Sequence, residues 1–165
     1  MNEIFTRVSI RKFESRPVEE AKLEKILRAA MAAPSAGNQQ PWEFYVVTNQ
    51  AKIQELAKCS PYSGCAANAP ALIIPCINKA KLKFPELDEI DLAIATQNIL
   101  LEITALDLGG VWLAVAPFED RINKVIKALE IKDNLTPFAL VALGYPAENH
   151  KQQDRFDEAK VQYVK

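Results

Sequence analysis

Apolar positions recur along the chain with a helical period in some stretches and as short continuous or alternating runs in others. Leu23, Ile26, Leu27, Ala30 and Met31 follow an i, i+3, i+4, i+7, i+8 stripe, the pattern of a helix with one buried face, and it assigns Met31 to the core. Residues 15–20 open that helix, with Pro17 early and Glu19 and Glu20 in the first turn, where acids complement the helix dipole. Pro34 ends it. Residues 42–48 are aromatic and β-branched and read as a strand, after which Asn49 caps a short helix to about Lys58. Residues 71–77 are an apolar strand whose Pro75 cannot donate to a ladder, which puts the strand at an edge or a bulge. Residues 88–108 form the longest regular segment, apolar on almost every side, and Gly109-Gly110 closes it as a glycine cap. A strand over 111–117, a helix over 119–129 and a fully apolar strand over 138–143 complete the pattern. Helices interleaved with strands specify an α+β or α/β sheet with helices on both faces.

The ends of the chain carry less periodicity. Residues 3–8 read as a short helix, and residues 7–13 alternate polar and apolar as an extended edge segment. Residues 147–165 read as a tail, with a short apolar alternation at Val161–Val164 that suits docking on a partner. Gln97 and Asn98 interrupt the apolar helix and require partners if buried. A helix apolar all round in a chain this short points to a subunit interface. Phe84, within the polar connection 79–87, is either a lid or a loop anchor, and the anchor is favoured.

Composition narrows the class. The chain has 165 residues, 49% apolar and 25% charged, with a net charge of −1, as expected for one globular domain. There is no basic excess to argue for nucleic acid or anionic lipid, no apolar run long enough for a membrane span, and no signal-peptide core at the start. Cys59, Cys65 and Cys76 are odd in number and form no CxxC pair, which fits a reducing cytoplasm. His150, the single histidine, sits among polar residues as a surface side chain.

Two stretches carry candidate chemistry. Residues 34–42, Pro-Ser-Ala-Gly-Asn-Gln-Gln-Pro-Trp, present short polar side chains and backbone N–H groups on a loop held between regular elements. Arg7, Ser9 and Arg11 share a period of two and project from one face. Together they are either an anion site, since guanidinium donors match phosphate oxygens, or the charged face of a solvated edge strand. No Gly-rich nucleotide loop, HExxH helix or GxSxG elbow is present, so hard chemistry here calls for a bound cofactor.

Four stretches in order resemble the nitroreductase family of FMN flavoproteins: residues 7–13, residues 33–42, Leu108-Gly109-Gly110-Val111-Trp112-Leu113, and Leu143-Gly144-Tyr145-Pro146 followed by Asp154-Arg155-Phe156. The resemblance runs nearly the full chain. It implies an α+β fold, a central mixed but mainly antiparallel sheet flanked by helices, in an intertwined homodimer with two FMN sites at the interface. The whole of 1–165 would be one FMN-binding domain, with 147–165 wrapping the partner subunit. Arg7, Val8, Ser9 and Arg11 match the segment that contacts phosphate and ring. Pro34, Ser35, Ala36 and Asn38 match a loop reaching the flavin of the other subunit. Trp112, Leu113, Ala114 and Val115 match the strand end against the isoalloxazine, with a backbone N–H near Val115 expected at N5, and Arg155 matches a tail residue closing on the phosphate.

The implied activity is hydride transfer from NAD(P)H through FMN to a nitroaromatic, quinone or similar acceptor, with flavin N5 rather than a side chain carrying the chemistry. Three departures stand out. Val8 occupies a position where a basic or polar residue is common, Gln153 stands where a second tail lysine often sits, and residues 59–68 lack the lysine some members place near the flavin pyrimidine. The short 79–87 segment implies an open pocket. The open pocket and the missing lysine motivate an alternative to this preferred reading, a module that binds, senses or consumes flavin without NAD(P)H turnover. A flavin-free dimeric scaffold is the third reading.

Overall fold

A computed structural model describes residues 2–165, leaving Met1 outside. Helices α1 (Glu3–Thr6) and α2 (Glu20–Met31) precede β1 (Trp42–Val47), α3 (Gln50–Leu56) and β2 (Ala71–Asn78). The long α4 (Asp88–Ala105), β3 (Gly109–Ala114), α5 (Glu119–Leu129), β4 (Leu135–Pro137) and β5 (Ala139–Gly144) follow. The sheet runs β1-β2-β5-β3, with β4 also paired to β2, and all of these pairings are antiparallel. A parallel bridge joins Ser9 to Gly110, so residues 7–13 extend the sheet past β3. The α+β architecture expected from the sequence is therefore the one observed. Apolar side chains bury on both faces of β2 and β5, one cluster lying under α3 and α5 and another under α2 and α4.

Local chemistry sets the start of α3. The Asn49 side chain accepts from the Lys52 N–H at 3.1 Å, capping α3 as its sequence implied. Leu23, Ile26 and Ala30 carry the buried seam of α2, but Met31 is 51% exposed. It lies on the last turn, rotated about 100° from Ala30, and turns out of the core.

Pro75 lies inside the sheet, not at its edge. Its carbonyl accepts from the Phe138 N–H at 2.8 Å, so the proline nitrogen also faces Phe138. Ile73 opposes Val141 and Cys76 opposes Pro137, so Ile74 and Pro75 face three residues, Phe138, Ala139 and Leu140. The resulting bulge lies on the neighbouring strand, where the missing donor costs no ladder bond.

Gly109 and Gly110 are not the cap of α4. The helix ends at Ala105, and Asp107 takes the left-handed conformation (φ 58°). Both glycines begin β3. A Cβ at Gly109 would lie 2.7 Å from the Ile10 side chain, so glycine is needed there to seat residues 7–13 on the sheet. Asn98 donates to the Ala29 carbonyl at 3.1 Å and ties α4 to α2, while Gln97 is exposed.

Candidate functional site

Seating Ile10 against Gly109 has a direct consequence for charge. The Ile10 N–H donates to the Gly110 carbonyl at 3.0 Å, which fixes the alternation of the segment. The Glu148 carboxylate accepts from the Arg11 N–H (2.6 Å) and the Lys12 N–H (3.2 Å). The Arg11 N–H first, then the His150 contact at 3.3 Å and the Lys12 N–H, hold the Glu148 carboxyl below its ordinary range. The tail leaves Glu148 beside Arg11, and residues 150–155 return across residues 7–11. Arg7, Ser9, Arg11, Lys151 and Arg155 thereby line one cavity of about 410 Å³. Val8 and His150 line it as well.

Four Lys or Arg side chains from two distant segments open on a space lined by no Asp or Glu. That donor set suits a phosphate dianion, which carries about −1.5 to −2 charge and three acceptor oxygens. Lys151 stands two positions before Gln153, and both line the cavity. Neither Lys151 nor His150 was singled out in the sequence as a site residue, because the path of the tail that brings them there is invisible to local periodicity.

Arg11 also lines a second cavity, of about 340 Å³, along the open edge of β3. Trp112, Leu113 and Ala114 of β3 line it as a floor, together with Ser60, Tyr62 and, beside Ala114, Arg121. In β3 the even-numbered residues point their backbone groups toward this open edge. Gly110 meets Ile10 there, the Ala114 carbonyl accepts from Arg121 at 3.0 Å, and Val115 turns the other way to Phe138. By strand alternation the Trp112 and Ala114 N–H groups face the edge.

Val115 departs from the sequence expectation. Its side chain is fully buried, and its N–H is donated to the Phe138 carbonyl at 3.3 Å, beside that of Ala116 at 2.9 Å. It therefore presents no donor to a ligand. The resemblance points to the strand end, but the parity of its donors depends on which side β5 occupies.

The loop at Pro34, Ser35, Ala36 and Asn38 lines neither cavity. Its polar groups are largely spent inside the fold. The buried Asp91 carboxylate on α4 accepts from the Ala36 N–H (2.9 Å) and the Gln39 side-chain amide (2.7 Å). The Gln39 carbonyl oxygen accepts from the Lys83 and Phe84 N–H groups at 2.8 and 3.0 Å, and Ser35 accepts from the Gln40 N–H at 3.0 Å. Gly37 takes φ +51°, and a Cβ there would lie 2.5 Å from the Phe84 ring. Phe84 packs on the loop as its anchor. Pro34 and Asn38 remain exposed.

The sequence model described as "Nitroreductase family" matches residues 4–62 and 60–145. The chain belongs to the nitroreductase family. A Methanothermobacter thermautotrophicus protein, provisionally named NADH dehydrogenase/NAD(P)H nitroreductase, is 41% identical over 98% of this chain and 85% of its own length. A crystal structure from Clostridium acetobutylicum, provisionally named an NADH oxidase, superposes with a TM-score of 0.96 at 43% identity, covering 99% of each chain. A nitroreductase of Desulfovibrio desulfuricans, also provisionally named and solved in complex with FMN, gives 0.86 at 28% identity over 99% of this chain and 95% of that one. No helix among the described residues is long and apolar enough to cross a membrane.

Proposed function

We propose that this nitroreductase-family chain is an FMN-dependent oxidoreductase that takes hydride from NAD(P)H and delivers electrons to a small acceptor such as a nitroaromatic or quinone. The observation that carries this reading is the pair of cavities sharing Arg11, one lined by four cations and the other running along the open edge of β3. Relatives named for NADPH nitroreductase and NAD(P)H-linked FMN reductase activity, and a neighbour solved with FMN, support it. Arg7, Ser9, Arg11, Lys151 and Arg155 would hold the phosphate by charge-assisted hydrogen bonds. The floor at Trp112, Leu113 and Ala114 would support the ring, with the Trp112 and Ala114 N–H groups as edge donors. When bound, FMN supplies a hydride-accepting N5 and the electrons for the second half-reaction. The protein binds, orients and excludes water, and no side chain is assigned as acid or base.

The site calls for a second copy of the chain. The loop at 34–38 carries exposed Pro34 and Asn38 but lies outside both cavities of its own chain. On α4 and the turn before it, Leu87, Ile90 and Ile94 form an exposed apolar stripe, and the tail leaves Phe156 76% and Val164 97% exposed. A homodimer in which α4 packs on its counterpart and the tail beyond Arg155, rather than the whole of 147–165, wraps the partner covers these surfaces and brings the loop to the other subunit's flavin.

The test is an absorption spectrum after FMN addition and desalting, followed by anaerobic mixing with NADH and NADPH. Retained flavin that bleaches, with retention lost in Arg7→Ala and Arg155→Ala, is expected, as are parallel lines in steady-state kinetics. Retained flavin that neither nucleotide reduces would instead make the chain a flavin-binding module. If no flavin is retained, the reading fails.

A further inference from the structure

The second cavity holds a cation that forms an ion pair with none of the described residues. Arg121 rises from the first turn of α5, half-buried, with its guanidinium carbon 3.8 Å from the Phe118 ring centroid and 6.0 Å from that of Tyr62. One N–H is donated to the Ala114 carbonyl at 3.0 Å. It forms no salt bridge among the described residues. Its neighbour Asp120 pairs instead with Lys124, at 3.5 Å. The cavity that Arg121 shares with Arg11 is lined by no Asp or Glu. A backbone carbonyl and an aromatic face thus hold a guanidinium in place with donors to spare, facing open space. That is the arrangement of a cation preorganised for a ligand oxygen.

Resting on the FMN reading above, we propose that Arg121 contacts the pyrimidine end of the flavin ring and makes the site bind reduced FMN more tightly than oxidised FMN. Orientation follows from the shared Arg11. With a phosphate in the four-cation cavity, a ring extending past Arg11 would enter the second cavity, where Arg121 would meet one of its ends. The dimethylbenzene end would desolvate the guanidinium without offering an acceptor, whereas the other end carries two carbonyl oxygens. A hydride from NAD(P)H brings two electrons and one proton to N5, and NAD(P)⁺ leaves. One net negative charge then resides at the pyrimidine end, between Arg11 and Arg121. A fixed cation at that place favours the reduced state by differential binding.

The experiment measures the FMN dissociation constant and, anaerobically, the two-electron midpoint potential of the holoprotein and its Arg121→Gln and Arg121→Lys variants. For Arg121→Gln, the preference for reduced over oxidised FMN is expected to fall about tenfold, a lowering of the potential by about 30 mV. Affinity for oxidised FMN should change far less, and Arg121→Lys should recover most of the potential. Arg121→Met keeps the stem on Phe118 while removing the charge, and replaces the glutamine variant if that fails to fold. A charge-free variant that keeps flavin at the wild-type potential overturns the proposal and leaves the FMN reading standing. Wild-type protein that retains no flavin defeats the FMN reading and the proposal together.

Discussion

At the residue scale, the Glu19 carboxylate accepts from the Tyr145 hydroxyl at 2.9 and 2.7 Å and from Arg16 at 2.9 Å. Lys22 donates to the same hydroxyl at 3.1 Å. With Tyr145 as the main cause, Glu19 titrates at about 2 rather than at its ordinary 4.5. A depressed folded-state pKa contributes stability that is fully present above about 4.5 and is lost as the pH falls toward 2. Urea unfolding of Glu19→Gln should therefore show a shallower loss between those values than wild type, and parallel acid limbs would refute the coupling. Gly109 is a second point of leverage. Gly109→Ala forces a methyl into the Ile10 side chain, so it should cost about 1–3 kcal/mol. FMN affinity should fall with it, because Ile10 seats Arg7, Ser9 and Arg11. Unchanged stability and affinity would mean that residues 7–13 can shift freely.

At the element scale, the 34–42 loop shows what a sequence reveals and what it withholds. Its prolines, glycine and amides mark a constrained loop between a helix and a strand, and that is what forms. Their destination is tertiary: Gln39 turns inward to Asp91 and the Phe84 backbone. Asp91 in turn reads in sequence as one more acid in the first turn of a helix. Asp91→Ala strands the Ala36 N–H and the Gln39 amide and removes two charge-assisted bonds, at a cost of about 3 kcal/mol. Urea denaturation should show that loss, with faster proteolysis within 34–40. A loss under 1 kcal/mol would mean that water replaces the carboxylate. Pro75 and the Gly109-Gly110 pair taught the opposite lesson. The backbone preference of Pro75 leaves an edge or a bulge open, and the neighbouring strand decides for the bulge, whereas the glycine pair reads as a cap and is placed instead by Ile10. The short β4 ends in Pro137 and has no periodicity to announce it. The arginine face of residues 7–11 was legible because a period of two survives without tertiary help, whereas Arg121, Lys151 and His150 come to the cavities only through long-range packing.

At the scale of the whole molecule, cofactor binding and self-association should be one linked equilibrium. The cavities proposed for phosphate and ring belong to one chain, and the 34–38 loop and the tail beyond Arg155 are proposed to reach the other, so FMN bound to the dimer would meet more protein than FMN bound to the monomer. Thermodynamic linkage then requires FMN to tighten the dimer by the same factor by which dimerisation tightens FMN. Ile90, 55% exposed in the single chain, and Ile94 offer the handle. A glutamate at Ile94 meets its own symmetry mate across a two-fold axis or buries an unpaired charge, yet it leaves the cavities of its own chain untouched. Sedimentation velocity should therefore show Ile94→Glu moving from dimer toward monomer, with FMN affinity falling at least tenfold and circular dichroism unchanged. Excess FMN should partly restore the dimer. A monomeric variant that binds FMN as tightly as wild type would place the flavin wholly within one chain and remove the partner's loop from the site.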